Sequence, residues 1–411
     1  MMKHLIKKDP YYVYIHTCFL SQLFFTYIFT VNLLYHVQIV KLNPFELVLV
    51  GTVLELSVFI FEIPTGVISD LKSRKLSIII GYSLIGLGFL VEGLFPFFLA
   101  VILSQILWGI GYTFTSGSLQ AWVSDEVGEE RAAGAFMNGA KAGNLGSVLA
   151  IPLSIITGIF MLNLPIILGG LCMLGLAIYL MIHMKEEKFI PLKLESQSSA
   201  WKNMKLNLSK IAIYSKASRL IRLLFLIALF FGFYSEGFDR LWLTHFLEAS
   251  RLSFFSERSI VLVTGGIQFL VVVGSFIVLN IINNSSIHKH LHLIYISLFI
   301  GSLLIISSLI GFSYSTSIIA LLGFYLIIQM VRQIMQPLEE IWLNTIIPES
   351  SVRATFFSMK GQIDAIGQIS GGPIIGGVAS IFSIKTAILI SAVLLSPVLY
   401  LLRKALKISR G

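Results

Sequence analysis

The stretch GVISDLKSRK, residues 66–75, places four charged side chains close together between two long apolar runs. The run 45–70, which overlaps its start, and the run 76–95, which follows it, each reach the roughly 20 largely apolar residues that a helix needs to cross a bilayer. Basic residues in a short loop between such runs are typical of a turn on the cytoplasmic side of a membrane. The stretch therefore predicts a hairpin of two spanning helices.

The composition of the whole chain follows the same pattern. The 411 residues are 56% hydrophobic and 12% charged, and the mean hydropathy is +0.87. A soluble protein carries about 25% charged residues, so this chain lacks the polar surface that a soluble fold of its length needs. We predict an all-α integral membrane protein.

Twelve apolar windows are long enough to span a membrane, and they fall into two groups of six. A long polar segment, residues 184–220, separates the groups, whereas the other connections are short. We therefore predict an N-terminal six-helix half (1–183), a cytoplasmic linker (184–220) and a C-terminal six-helix half (221–411). The predicted spans are 11–36, 45–70, 76–95, 97–121, 133–157, 163–183, 221–247, 258–282, 291–311, 315–341, 353–381 and 384–403.

The distribution of basic residues predicts the orientation. With the N-terminus inside, 22 of the 30 Lys and Arg residues lie on the cytoplasmic side and 4 on the outer side. This bias predicts that both termini and the linker lie on the cytoplasmic side. The membrane is expected to be the cell membrane. The net charge of +9 then serves orientation and contact with anionic lipids, rather than binding to nucleic acid.

Two segments repeat across the halves. RAAGAFMNGAKAGNLG (131–146) and RATFFSMKGQIDAIGQ (353–368) both begin with Arg-Ala, share Met-x-Gly and follow an acidic loop. A six-span unit repeated in one orientation is typical of transporters. No nucleotide-binding, metalloprotease or serine-hydrolase motif is visible, so we predict no enzyme, no catalytic residue, no cofactor and no metal.

Residues 66–75 resemble the signature Gly-x-x-x-Asp-(Arg/Lys)-x-Gly-(Arg/Lys)-(Arg/Lys) of the major facilitator superfamily. Leu71 and Ser73 depart from it. The resemblance implies the major facilitator fold and a loop that latches one conformation by charge pairing; we assign Gly66 to close helix approach. Arg131 and Arg353 are expected to pair with neighbouring acidic loops. The predicted latch residues are Gly66, Asp70, Arg74, Lys75, Arg131, Glu349 and Arg353.

Residues 108–131 and 350–373 resemble segments of bacterial drug-efflux permeases of the 12-span type in this superfamily. Two positions differ from those relatives. Many proton-coupled members carry an arginine where this chain has Gln105, and the exporter string Gly-Pro-x-x-Gly-Gly lies at 372–377 instead of in the fifth span.

The segment FYSEGFDRLW, residues 233–242, embeds three charges in the seventh predicted span. Helical spacing places Glu236, Asp239 and Arg240 on one face, and each costs about 2.5–3.5 kcal/mol near a bilayer centre. A structural Glu236–Arg240 pair and a substrate or proton site are both open. Arg240 neutralises one acid, so the other needs a residue, a substrate or a proton, and we favour the proton.

Further embedded charges extend the candidate site. Lys360 and Asp364 lie four residues apart, as either a structural pair or a functional one. Arg332 has no acid at helical spacing in the apolar part of its span, so it needs a partner from another helix, and Asp364 and Asp239 are the candidates. The candidate substrate- and proton-binding residues are Glu236, Asp239, Arg240, Arg332, Lys360, Asp364, Glu55 and Lys141.

These features predict a secondary active transporter that works by alternating access. The leading hypothesis is proton-coupled export of amphipathic drug-like small molecules by a monomer, with the substrate, protons and the lipid bilayer as partners. Uptake or symport of a polar or anionic nutrient is the alternative, because basic residues lie within the spans. A non-transporting receptor or a membrane enzyme is a remote alternative.

Overall fold

The computed structural model describes residues 9–191, 209, 218–251, 256–283, 290–347 and 353–408, and these residues are almost entirely helical. Helices suit a membrane because they satisfy their backbone hydrogen bonds within one segment. The helices are α1 Pro10–Gln38, α2 Pro44–Leu71, α3 Arg74–Leu94, α4 Phe98–Thr115, α5 Ser118–Val127, α6 Glu129–Phe160, α7 Leu164–His183, α8 Arg219–Ala249, α9 Glu257–Asn283, α10 Leu291–Tyr314, α11 Ile318–Ile346, α12 Arg353–Ile381, α13 Ile384–Leu395 and α14 Pro397–Ile408.

Eleven stretches of helix in the described residues are long and apolar enough to cross a membrane. Two of them combine neighbouring helices, α4 with α5 and α13 with α14. Gly117, which has a φ of +71°, interrupts the first of these combined stretches. The protein is therefore a multi-pass membrane protein.

The predicted eleventh span, 353–381, is present as the continuous helix α12. It is not among the eleven because its composition is too polar, with Lys360, Asp364 and several glycines, serines and glutamines along it. Eleven spans are thus supported, and the count of twelve stays a prediction.

The chain divides into two compact units. The first, unit N, comprises Met1–Lys41, Val53–Met204 and Glu257–Gly265, and the second, unit C, comprises Leu42–Thr52, Lys205–Ser256 and Gly266–Gly411. In unit N, α1 packs along α6, and α3 packs on α4 and α7. In unit C, α8 packs along α12, and α10 packs on α11. The predicted halves did not anticipate that α2 and α9 each contribute residues to both units.

Polar side chains mark the start of α3. Ser73 accepts a hydrogen bond from the backbone N–H of Leu76 at 2.9 Å, as a helix N-cap does. The family signature has glycine here, so the serine supplies a cap that glycine lacks.

Gly66 does not mediate a close approach, because no neighbouring heavy atom lies within 4 Å of a Cβ built on it. That predicted role is wrong.

Candidate functional site

Both acids of residues 233–242 are bound by arginines. Glu236 Oε1 accepts a hydrogen bond from Arg240 Nε at 2.9 Å, one helical turn along α8. Asp239 accepts two from Arg332 of α11, at 2.6 Å from Nη1 and 2.8 Å from Nη2. The expected contact between Glu236 and Arg240 is present, and Arg332 pairs with Asp239, one of its two expected partners. Our preference for a proton on the second acid is wrong here, because an arginine fills that role.

Aromatic side chains surround this charged part of α8. Tyr234 is fully buried, and its ring centroid lies 6.0 Å from Cζ of Arg332. Trp242 stacks on Tyr325 of α11 with ring centroids 4.1 Å apart. Such surroundings lower the local dielectric and strengthen the ion pairs, and they make an unpaired charge more unfavourable.

Lys360 pairs with Glu339 of α11, with Nζ 2.5 Å from Oε2. The predicted pair of Lys360 with Asp364 is therefore not the salt bridge that forms. The two residues lie one turn apart on α12, but α11 presents a closer carboxylate that is 9% exposed. Asp364 instead accepts a hydrogen bond from the side-chain amide of Gln368, at 2.8 Å.

These groups line a cavity of about 460 Å³ in unit C. Its wall on α11 carries a polar face, and its wall on α12 carries Lys360 and Asp364. Asp364 makes no salt bridge within 4.0 Å in the described part of the chain, whereas Glu339 and Arg332 both do. The cavity is lined by Ala228, Phe231, Gln329, Arg332, Gln333, Met335, Gln336, Glu339, Glu340, Phe357, Lys360, Gly361 and Asp364.

A close crossing of α8 and α12 positions Asp364. A Cβ built on Gly232 would lie 2.1 Å from the backbone oxygen of Asp364, and one on Gly367 would lie 2.3 Å from that of Leu229. Only glycine permits backbones to approach this closely. The glycines thus fix the depth at which Asp364 faces the cavity.

Unit N contains a different cavity of about 440 Å³, whose lining residues carry no formally charged side chain. Two other candidates, Lys141 and Glu55, do not line it. Lys141 is exposed on α6, although Ala140 and Asn144 beside it are lining residues. The lining residues are Tyr14, Cys18, Ser21, Gln22, Phe25, Tyr82, Tyr112, Thr115, Ser116, Leu119, Gln120, Phe136, Gly139, Ala140, Gly143 and Asn144.

The signature loop is held by charged groups within unit N. Arg74 forms an ion pair with Asp125 of α5. Glu186 accepts hydrogen bonds from the Ser73 hydroxyl and from the Lys75 backbone N–H, the latter at 2.9 Å. The start of the linker therefore binds the same loop as α5 does.

The remaining latch predictions have mixed outcomes. Arg131 pairs with Asp9 at 3.4 Å, not with an acid of its own loop. Asp70 lies half-buried near the end of α2. Glu349 lies outside the described residues, as does the side chain of Arg353.

Sequence reasoning missed one buried cluster in unit N. The Glu92 side chain is 0% exposed, and its carboxylate is bound by side chains of Asn32, His36 and Gln105. Glu92 was an acid within the predicted span 76–95, so embedded charge alone could have identified it.

Comparisons with known proteins agree with this architecture. The model of the Major Facilitator Superfamily matches residues 13–339. An uncharacterized MFS-type transporter, YxaM of Bacillus subtilis (strain 168), is 28% identical over 359 residues, which cover 84% of this chain and 84% of that protein.

Several solved structures share the fold at low sequence identity. The nucleoside transporter NupG has a TM-score of 0.75 at 13% identity, covering 97% of this chain and 99% of its own. The peptide transporter POT in complex with sulfate has a TM-score of 0.73 at 15% identity, with coverages of 98% and 94%. A bacterial homologue of the human lysosomal transporter Spinster has a TM-score of 0.75 at 13% identity, with coverages of 97% and 98%.

Proposed function

Because the chain belongs to the major facilitator superfamily, we propose that it is a secondary transporter of the cell membrane in which Asp364 carries a coupling proton. The observation that carries this proposal is the pairing pattern in unit C. Asp239 pairs with Arg332, and Glu339 pairs with Lys360. Asp364 lines the same cavity as Glu339, but its hydrogen-bond donor is the neutral amide of Gln368.

The pairing decides which carboxylate can exchange a proton. A cation at ion-pair distance favours the charged form of an acid, so Asp239 and Glu339 are poor proton carriers while Arg332 and Lys360 remain in place. Gln368 can serve Asp364 in both states, because its amide donates to a carboxylate and its carbonyl oxygen accepts from a carboxylic acid. Asp364 can therefore gain and lose a proton without losing its partner.

We propose amphipathic small molecules as the substrates, moved outward by alternating access. The cavity of unit N supports this choice, because aromatic rings such as Tyr14, Phe25 and Tyr112 line it beside hydroxyl and amide groups. Ligand sites for organic molecules combine apolar walls with a few polar groups in this way.

A polar or anionic nutrient is the second candidate. It is favoured by the glutamine and basic side chains that line the unit C cavity, where Gln329, Gln333 and Arg332 lie on one helix. The structural relatives named nucleoside and peptide transporters are consistent with polar cargo. Against it, Arg332 and Lys360 each already bind an acid, so an anionic substrate must compete with that acid.

The test is flux in proteoliposomes under an imposed pH gradient, with a panel of amphipathic and polar compounds. Asp364→Asn should abolish gradient-driven accumulation while retaining exchange of labelled for unlabelled substrate. Glu248→Gln is the matched control, because it is the same acid-to-amide change at an exposed residue of α8 that lines neither described cavity. Accumulation at the wild-type rate by folded Asp364→Asn protein contradicts the proton assignment. The direction of flux in inverted vesicles separates export from uptake.

A further inference from the structure

A carboxylate with three side-chain partners lies inside unit N. Glu92 Oε1 accepts from Asn32 Nδ2 at 2.5 Å and lies 2.8 Å from His36 Nε2, while Oε2 accepts from Gln105 Nε2 at 3.2 Å. We call Glu92, His36, Asn32 and Gln105 the Glu92 cluster. All four residues are at most 4% exposed, and they join α1, α3 and α4.

The groups that face Glu92 include one side chain that can carry positive charge. From α1 these are His36, Asn32 and Tyr35, whose hydroxyl donates to the Glu92 backbone oxygen at 2.6 Å. From α4 they are the amide of Gln105 and the neutral hydroxyl of Ser104. The α7 end contributes the neutral Asn163, which donates to the Gly93 backbone oxygen at 3.1 Å. In the described part of the chain, the charge on Glu92 is therefore balanced by His36 alone.

Histidine differs from arginine and lysine in this role. Its charge ordinarily changes between about pH 5 and 8, whereas theirs persists throughout that range. When His36 releases a proton, Asn32 and Gln105 still donate to Glu92, and a neutral imidazole can still donate from Nε2. The cluster can thus change its charge by one proton while both carboxylate oxygens of Glu92 keep a hydrogen-bond donor.

The position of the cluster brings it near one surface of the membrane. His36 lies in the last turn of α1, and Glu92 lies two residues before the end of α3. Both helix ends lie on the predicted outer side, so protons from that side have a short path to the pair. Ionisable residues within spans are costly and commonly mark proton pathways.

From this geometry we propose that His36 and Glu92 form a proton-binding site in unit N, distinct from Asp364. The bound proton lies between the imidazole and the carboxylate, and its release leaves a neutral His36 beside a charged Glu92. The site binds a proton whether or not Asp364 is the carrier, because the two sites share no residue.

The test follows individual histidines by nitrogen NMR of the full chain in lipid nanodiscs between pH 5 and 8.5. His36→Gln identifies the His36 signal by its loss. That signal should titrate in one reversible step, and Glu92→Gln should move the midpoint by at least one pH unit. Gln105→Arg should move it in the same direction, since added positive charge and lost negative charge both disfavour a charged imidazole.

His245 provides the internal control. It is also buried, at 7% exposed, but its Nε2 lies 3.1 Å from the Phe312 backbone oxygen in unit C. Its signal should not respond to the changes at Glu92 or Gln105. If His36→Gln does not fold, Asn32→Ser identifies the signal by its displacement. A His36 signal that stays constant across the pH range, or that titrates identically in Glu92→Gln, overturns the proposal.

Discussion

Arg332 binds both carboxylate oxygens of Asp239, with Nη1–Oδ1 at 2.6 Å and Nη2–Oδ2 at 2.8 Å. This bidentate geometry ties α8 to α11 and fixes the orientation of the guanidinium group. The side chains are 36% and 27% exposed for Asp239 and Arg332. The pair is therefore partly screened by solvent. We expect its contribution to the free energy of unfolding to lie between that of a surface ion pair and that of a buried one.

The first prediction concerns the coupling between these two residues. Asp239→Asn and Arg332→Gln should each lower the free energy of unfolding, and the double variant should lose less than the sum, with a coupling of about 0.5–3 kcal/mol. Reversible unfolding in mixed micelles measures it. The control is Asp9–Arg131, at 3.4 Å and 42% and 59% exposed, where about 0–1 kcal/mol is expected. Additive effects at Asp239 and Arg332 contradict the prediction.

The second prediction compares two adjacent acids of α11. Glu339→Gln removes the partner of Lys360 and should destabilise the protein, because the partly buried ammonium group of Lys360 loses the carboxylate that it pairs with. Glu340→Gln is the matched control, since Glu340 is exposed and should change the unfolding temperature little. Adding Lys360→Met to Glu339→Gln should recover stability. Equal unfolding temperatures for Glu339→Gln and Glu340→Gln, or no recovery in the double variant, argue against this account.

The helices were predictable from the sequence, whereas the contacts between them were not. Long apolar runs require helices in a membrane, and helical spacing correctly paired Glu236 with Arg240 within α8. The same spacing rule failed for Lys360, because its partner Glu339 comes from another helix. Spacing along one helix says nothing about which acid a neighbouring helix presents at closer range.

Two further features depend on tertiary packing. The cluster around Glu92 joins three helices, and no local pattern relates Asn32 or His36 to an acid more than fifty residues away. Likewise, hydropathy marks α2 as one span and does not reveal that Leu42–Thr52 belongs to unit C. A single sequence shows which side chains are unusual in a membrane, but not how they are brought together.

The third prediction concerns Gly51, where α2 passes the ion pair of α8. A Cβ built on Gly51 would lie 1.4 Å from Glu236 Oε1 and 2.4 Å from Arg240 Nε. Gly51→Ala should therefore displace the Glu236–Arg240 pair and lower the unfolding temperature. Overpacking of this kind typically costs about 1–3 kcal/mol.

Gly323→Ala is the control for Gly51→Ala. No neighbouring heavy atom lies within 4 Å of a Cβ built on Gly323 in α11. Alanine favours a helix over glycine by about 1 kcal/mol, so this change should be neutral or stabilising. Thermal unfolding of the two purified variants side by side checks the contrast, and a Gly51→Ala protein as stable as Gly323→Ala refutes it.

The fourth prediction concerns the start of the linker. Glu126 Oε1 accepts hydrogen bonds from the backbone N–H groups of Glu187 and Lys188, at 2.7 and 2.9 Å. Each hydrogen bond to a charged group contributes about 1.5–3 kcal/mol. Glu126→Ala removes both, so the linker should detach from α5 more often and trypsin should cut after Lys188 at least about tenfold faster. Glu130→Ala, at an exposed acid nearby, is the control.

The cleavage assay uses inverted vesicles, which expose the predicted cytoplasmic side to the protease. Mass spectrometry of the fragment that ends at Lys188 separates this cut from cuts elsewhere in the linker. The backbone oxygen of Glu126 also accepts from Lys188 Nζ at 2.7 Å, and Trp122 Nε1 donates to the Lys185 backbone oxygen at 2.6 Å. These contacts survive in Glu126→Ala, so Trp122→Phe combined with it should accelerate the cut further. Unchanged cleavage in both variants means that the carboxylate does not hold the linker.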